Sequence, residues 1–242
     1  MTPKPQADYG PSLPELLRPR LRALGRWPRI AIGIVVLLVL VAVAATVIHV
    51  EAQKRSYTQT AQDASARGLP PIPFHFDHAR KLRILKPPGD YVQAEWKVNG
   101  TLAASFSVSP FKIEGQTGLL SGFMPILATE LERKAARAYD HFRLQFEGRA
   151  RVNDAEGYQY AFSARLTQPD KTVRQLFGRV VMLPVPYDTS DPNKGYPPGQ
   201  VPKRGLKLTM LATTIDNVPS PTRVGDQGIL QRPFRSFRFG TG

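Results

Sequence analysis

Residues 142–166, FRLQFEGRARVNDAEGYQYAFSARL, contain the clearest structural signal of this chain. Apolar and aromatic residues alternate with polar ones on both sides of a polar turn at Asn153–Gly157. A period of two is typical of a strand with one buried face, so two such runs joined by a turn predict an antiparallel pair. The next apolar run, Leu176–Leu183, is nearly continuous. It predicts a central strand that is covered on both faces.

A second strand pair is predicted upstream. Tyr91–Val108 holds two alternating runs around Asn99-Gly100, a strong hairpin signal. A two-residue loop would pair Val98 with Thr101 and divide the apolar residues between the two faces. We therefore predict a three-residue loop with Gly100 at positive φ, because that register collects the apolar residues on one face. The expected pairs are Val98 with Leu102, Trp96 with Ala104 and Ala94 with Phe106.

A helix is predicted between these strand pairs, with Pro125 near its start. Acidic residues, Glu130 and Glu132, precede the basic ones, and this order complements the helix dipole. The basic residues are Arg133, Lys134 and Arg137. An apolar stripe at helical spacing predicts that the helix docks on the sheet. The stripe consists of Phe123, Leu127, Leu131, Ala135 and Ala138.

The remaining segments complete the domain. Leu206–Ala212 resumes the alternation of a strand, and the proline-rich residues 184–205 predict a long surface loop. Arg232–Phe239 predicts an aromatic strand or strand-like tail. The order of elements indicates one α+β domain over residues 74–242, with an antiparallel sheet packed by helices.

These segments resemble the PsbP-like fold family. The resemblance rests on Phe142–Phe162, on the strand Gly178–Leu183, and on the closing Phe234–Phe239 with its Ser236-Phe237, and it covers roughly residues 90–239. Members of that family include extrinsic photosystem subunits and exported bacterial lipoproteins. The resemblance implies an accessory or binding role rather than catalysis. The membrane segment described next, the missing lipoprotein cysteine and the long proline loop depart from the family, so a shared partner is not implied.

The segment 30–50 is predicted to cross a membrane. Ile30–Ile48 contains no charged residue, and at 1.5 Å per residue it spans roughly 29 Å, about the thickness of the hydrocarbon core. Six basic and two acidic residues precede it, so the positive-inside rule places residues 1–29, a basic proline-rich tail, in the cytoplasm. We therefore expect a single-pass protein of the cell membrane, with an N-terminal transmembrane helix followed by an extracytoplasmic α+β domain.

The alternative to a retained signal anchor is a cleaved signal peptide. Ala42-Val43-Ala44 has the small residues of a cleavage site. We expect the anchor to be retained, because the apolar run continues beyond that site and the preceding leader is long. Lipoprotein processing is excluded, since the chain has no cysteine. Residues 51–73, which end in Leu69-Pro70-Pro71-Ile72-Pro73, are predicted to be a stalk between membrane and domain.

The charge of the chain points to anionic partners. The formal net charge is +14, and since the tail carries six basic and two acidic residues, +10 lies beyond it. The expected partners are the lipid bilayer, an anionic envelope polymer and other membrane proteins; nucleic acid is not expected outside the membrane. The candidate contacts are Arg133, Lys134, Arg137, Arg149, Arg151, Arg232, Arg235 and Arg238.

The last three of these arginines are interleaved with Phe234, Phe237 and Phe239. This pattern is shared by a stacking surface for single strands and by an aromatic core strand with a solvated outer face. We favour the second interpretation.

No pattern of residues predicts catalysis or a cofactor. His75-Phe76-Asp77-His78 is the only compact set of metal-ligand types, and we predict a polar turn there rather than a metal site, because no second cluster supplies further ligands. Cysteine and a Gly-x-Ser-x-Gly motif are absent, and Glu130 and Glu132 point to different sides of their helix. The sequence thus predicts a binding or assembly module. An exported enzyme without a recognisable motif and an accessory subunit of a larger membrane complex are the alternatives.

Overall fold

The computed structural model describes residues 34–39, 54–113, 120–169, 171–189, 196–197 and 200–241. Its strands are β1 (Lys54–Gln59), β2 (Phe74–Ala79), β3 (Arg83–Leu85), β4 (Val92–Val98), β5 (Thr101–Lys112), β6 (Asp140–Val152), β7 (Ala155–Thr167), β8 (Val173–Pro184), β9 (Arg204–Thr213) and β10 (Arg238–Phe239). Its helices are α1 (Ala61–Ala66), α2 (Leu120–Ala138) and α3 (Gln231–Ser236), with 3₁₀ turns at Thr214–Asp216 and Pro221–Arg223.

The described strands form two antiparallel sheets. The main sheet has seven strands in the order β3-β4-β5-β9-β8-β7-β6, and a small sheet has the order β1-β2-β10. The α+β class with antiparallel pairing is therefore confirmed, although we predicted one sheet. The predicted central strand, β8, lies between β7 and β9, and the pair built from 142–166 is β6 with β7.

The folded domain begins at Lys54, so the prediction of a stalk over residues 51–73 is wrong for residues 54–73. β1 pairs with β2 over its whole length, and α1 follows with Thr60 as its N-cap. Ile72 is buried, and the Tyr91 hydroxyl donates to the carbonyl of Pro70 at 2.7 Å. The period-two signal is weak in β1 because it is an edge strand that buries little of its surface.

The hairpin β4–β5 corrects the predicted loop length. Asn99 and Gly100 form a two-residue loop with φ values of 51° and 79°, and Val98 pairs with Thr101. Asn-Gly is the preferred sequence for a turn with both central residues at positive φ, because its twist matches that of the strands. A bulge between Trp96 and Lys97 then shifts the register by one residue. The predicted pairs Trp96 with Ala104 and Ala94 with Phe106 are present because the bulge restores the parity.

Each face of the main sheet has its own core. One face packs on the small sheet and the C-terminal segment, and the fully buried side chains of the core between them include Phe74, Phe76, Phe106, Leu208 and Phe237. The other face packs on α2, where Phe123, Met124 and Ala128 contact the cluster that contains Phe162 and Leu176. The predicted helix stripe is confirmed at Phe123 and, half-buried, at Leu127 and Leu131, whereas Ala138 is exposed.

The C-terminal segment 232–239 is the helix α3 followed by the two-residue strand β10, rather than one strand. Pro233 lies in the first turn of α3, where a missing N–H costs nothing. The Ser236 hydroxyl accepts the backbone N–H of Asp77 at 2.7 Å and donates to the carbonyl of Arg232 at 2.7 Å. These bonds fix the segment to β2.

Residues 34–39 are helical, and within the described ranges no helix combines the length and the apolar character needed to cross a bilayer. The tail 1–29 and most of the predicted span 30–50 lie outside the described residues.

Candidate anion-binding surface

The three basic residues of α2 lie on its exposed side. Arg133, Lys134 and Arg137 are all exposed, while Phe123 and Ala128 face the sheet. The helix therefore separates an apolar face from a basic one, as its sequence predicted.

A second group of arginines surrounds the turn between β6 and β7. Asn153, at φ 51°, donates from Nδ2 to the carbonyls of Arg235, at 3.0 Å, and Phe237. Its own carbonyl accepts from Nε of Arg151 at 3.0 Å. The turn and the end of α3 are thereby held together, and Arg151 and Arg235 share one corner of the domain.

Arg238 belongs to the same corner. It lines a cavity of about 190 Å³ that also contains Asn153, Asp154, Thr189 and Phe239, and its side chain is exposed. We call Arg151, Arg235 and Arg238 the arginine corner. Arg151 is far in sequence from Arg235 and Arg238, and the hydrogen bonds of Asn153 that join Arg151 to the backbone of Arg235 and Phe237 have no counterpart in the sequence pattern.

Arg149 and Arg232 lie outside this corner. Arg149 is exposed two residues before Arg151 on the same side of β6, as the alternation predicted. Arg232 is half-buried and its charge acts on Asp77. Burial alone would raise the pKa of Asp77, but the Ser56 hydroxyl at 2.6 Å, Lys54 at 3.1 Å and Arg232 together hold it below the ordinary value.

The aromatic residues between the C-terminal arginines are part of the core. Phe237 is fully buried and stacks on Phe74 at 5.6 Å, while Phe234 and Phe239 are each 6% exposed. These rings present no face to a nucleic-acid base, so the stacking alternative is wrong and the core interpretation is confirmed.

A further arginine, Arg179, makes its contacts within the domain. It donates to Asp226 at 2.9 Å, to Gln159 at 2.8 Å and to the carbonyl of Val224 at 3.1 Å, and it lies over the Phe234 ring at 4.6 Å. Its fork of donors is used within the domain, where it ties the C-terminal segment to β7 and β8.

The His75–His78 segment forms strand β2, not the polar turn that we predicted. The alternation of Phe74 and Phe76, which are both buried, is the signal that indicates a strand. His75 and Asp77 therefore lie on one side of β2 and His78 on the other. Within the described part of the chain, no group of three His, Cys, Asp or Glu side chains is placed to hold a metal ion.

Two clusters of charged side chains were not predicted from the sequence. Glu132 of α2 lies beside Glu147 of β6; burial, followed by the charge of Glu147, raises the pKa of Glu132. His141, Arg143 and Arg165 line a polar cavity on the opposite face of β6 and β7. Both depend on a register that contains two bulges, between Asp140 and Arg143 and between Leu144 and Phe146, and no sequence pattern indicates either bulge.

Comparison with known proteins gives a likeness of fold only. No family model matches the chain, and no curated protein matches it. Among solved structures, the chain is similar to cyanobacterial PsbP (CyanoP) from Synechocystis sp. PCC 6803, with 13% sequence identity and a TM-score of 0.38, over 78% of this chain and 94% of that one. The PsbP-like resemblance of the sequence is thus found again as a weak resemblance of fold.

Proposed function

We propose that this protein is a binding or assembly module, held in a membrane by the apolar segment 30–50, whose basic domain on the outer side contacts an anionic partner. The observation that carries the proposal is the arginine corner, where residues from β6, α3 and β10 expose their charges around Asn153. Arg238 lines the concave site together with Asp154, and Arg151 and Arg235 are exposed next to the Asn153 that also lines it. Guanidinium groups suit the phosphate, sulfate or carboxylate groups of an envelope polymer or of a lipid leaflet.

The arrangement of the corner supports binding through charge. Arg235 and Arg238 are exposed while the rings beside them are buried, so the partner meets guanidinium groups on a rigid support. The basic side of α2 adds charge to the same domain and strengthens long-range attraction.

The proposal is tested with the full-length protein in uncharged detergent micelles and fluorescein-labelled dextran sulfate as a model anionic polymer. We expect saturable binding that weakens at least about tenfold when salt rises from about 50 mM to about 200 mM, because each neutralised anionic group releases a counterion. The variant Arg151→Gln, Arg235→Gln, Arg238→Gln should weaken binding several times more than a matched control.

The control variant is Arg55→Gln, Arg80→Gln, Arg83→Gln, which removes the same charge from exposed residues of β1, the β2–β3 turn and β3. Equal losses in the two variants would show that only net charge matters and would contradict the corner as the site. Binding that is insensitive to salt would contradict the proposal as a whole.

A further inference from the structure

A polar cavity lies on the face of β6, β7 and β8 that is opposite α2. Its volume is about 180 Å³, and it is lined by His141, Arg143, Ser163, Ala164, Arg165 and Gln175. Most of these residues bring a basic group, a hydroxyl or an amide to one small concave site. A cavity of this size accommodates a single tetrahedral oxyanion with some water.

A β-bulge turns His141 into this cavity. Asp140 pairs with Arg165 and Arg143 with Ser163, so β6 contains one more residue than β7 between these pairs. His141 takes the extra place with φ 52°, a conformation that is uncommon for residues other than glycine but that histidine adopts more often than most. The bulge allows Phe142 to pack on Phe162 at 4.9 Å on the helix side, while the imidazole of His141 lies beside Arg165 on the other side. Bulges that re-aim a side chain are found more often than average beside functional sites.

The cavity has basic groups without an acidic partner. Nη1 of Arg165 lies 3.3 Å from Nε2 of His141, and because a guanidinium only donates, that nitrogen is the acceptor. Asp140 faces Arg165 across the strands, yet among the described residues no carboxylate forms an ion pair with Arg143 or Arg165. Two guanidinium groups that line one small cavity both attract an oxyanion placed between them.

The remaining donors complete the site. The Ser163 hydroxyl accepts from Nε2 of Gln145 at 3.3 Å, which leaves its hydrogen for an incoming group. Gln175 of β8 also lines the cavity and pairs with Arg165 of β7, and Arg143 and Arg165 lie on neighbouring strands. Guanidinium groups bind phosphate and sulfate through two parallel hydrogen bonds, which a lysine does not offer.

We propose that His141, Arg143, Ser163 and Arg165 form a binding site for a phosphate- or sulfate-type oxyanion. The site lies near the start of β6, and Arg151 of the arginine corner lies about 30 Å further along the same strand at the usual rise per residue. The inference rests on the proposed function in taking the partner to be anionic, and it adds the chemical group that is recognised.

The test uses full-length protein in uncharged micelles, labelled at the histidine Cε1 positions. The chain has 4 histidines, so the resonance of His141 is identified by its loss in His141→Asn, a residue that also tolerates positive φ. Sodium sulfate is titrated at constant ionic strength. We expect a saturable shift of the His141 resonance. The affinity for sulfate should be at least about tenfold lower in Arg143→Gln and in Arg165→Gln, while the melting temperatures of both variants stay close to that of the parent protein.

Two comparisons separate this site from the arginine corner and identify the source of the anion. The variant Arg151→Gln, Arg235→Gln, Arg238→Gln should bind sulfate with the affinity of the parent protein. The variant Arg165→Gln should retain most of the affinity for dextran sulfate. Inorganic phosphate is compared with sn-glycerol 3-phosphate and with vesicles of phosphatidylglycerol. Tighter binding of the glycerol ester and of the vesicles indicates that the ligand is a lipid headgroup. Tighter binding of inorganic phosphate indicates that the ligand is the free anion. A linear, unsaturable shift, or a shift that persists in both arginine variants, would overturn the inference.

Discussion

At the scale of single residues, a glycine opposite an aromatic ring explains part of the sequence pattern. Gly178 of β8 pairs with Phe162 of β7, and a Cβ at Gly178 would lie 2.2 Å from that ring. Phe162 has no room to move, because Tyr139, Phe142 and Tyr160 lie around it with ring centroids 4.9 to 6.1 Å away. Because Gly178 has no side chain, it leaves the space that the Phe162 ring occupies in the core between the main sheet and α2.

Gly178→Ala should lower the free energy of unfolding by about 1–3 kcal/mol, the usual cost of overpacking a core. The matched control is Gly122→Ala in α2, where an added Cβ meets nothing within 4 Å. This control should raise the free energy of unfolding by about 0.5–1 kcal/mol, because alanine favours a helix. Denaturant unfolding measures both changes, and an unchanged midpoint in Gly178→Ala would contradict the packing described here.

At the scale of elements, the contact between α2 and β6 contains a pair of like charges. Burial and the neighbouring Glu147 raise the pKa of Glu132, and Oε1 of Glu132 is buried without a hydrogen-bond partner in the described structure. The folded protein thus holds the Glu132 proton more tightly than the unfolded chain does. Its stability accordingly falls as pH rises above the ordinary pKa of a glutamate.

Glu132→Gln should therefore raise the melting temperature at pH 7 and have little effect at pH 4, where the parent carboxyl is protonated. Glu130→Gln, two residues earlier on an exposed part of the helix, is the control and should change little at either pH. Thermal unfolding followed by circular dichroism measures the difference. An equal shift of Glu132→Gln at both pH values would rule out a repulsion between the two carboxylates.

The elements also show what the sequence can predict. Strands β5, β7, β8 and β9 follow from alternation or a continuous apolar run because each packs against a core along most of its length. Edge strand β1 buries one residue fully, Gln59, so its sequence has no clear period. The loop of the hairpin β4–β5 was predicted one residue too long. A bulge in the strands and a longer turn shift the pairing of the apolar residues by the same amount, so the sequence pattern alone does not distinguish them.

The exposure of a side chain can be predicted from the sequence, whereas the contact between residues far apart in sequence depends on tertiary structure. The exposure of Arg133, Lys134 and Arg137 follows from helical periodicity. The grouping of Arg151 with Arg235 depends instead on side-chain hydrogen bonds of Asn153 to a segment about 80 residues away. His141 is isolated in sequence, and only the register of β6 on β7 brings Arg165 to it.

At the scale of the whole molecule, the side of the membrane is the property to measure. The chain contains no cysteine, so a single one introduced at the exposed Asp63 gives an unambiguous label. In intact cells we expect Asp63→Cys to react with a membrane-impermeant maleimide, and Ser12→Cys to react only after permeabilisation, because the positive-inside rule retains the tail.

The same gel distinguishes a retained anchor from a cleaved signal peptide. A retained anchor gives a full-length labelled band in the membrane fraction, whereas cleavage near Ala44 gives a shorter band in the soluble fraction. Labelling of Ser12→Cys in intact cells would contradict the predicted topology, and the proposed outer-surface partner with it.

The bulges of β6 have one more consequence, for self-association. β6 is one of the two edge strands of the main sheet, opposite β3, and Leu144 and Phe146 on it are 42% and 45% exposed. An open, regular edge with such side chains would recruit a strand from a neighbouring molecule. The extra residues at two places interrupt the regular spacing of N–H and C=O groups on which an added strand depends. The irregular register that turns His141 into its cavity should therefore also hinder neighbouring copies from joining their sheets along β6.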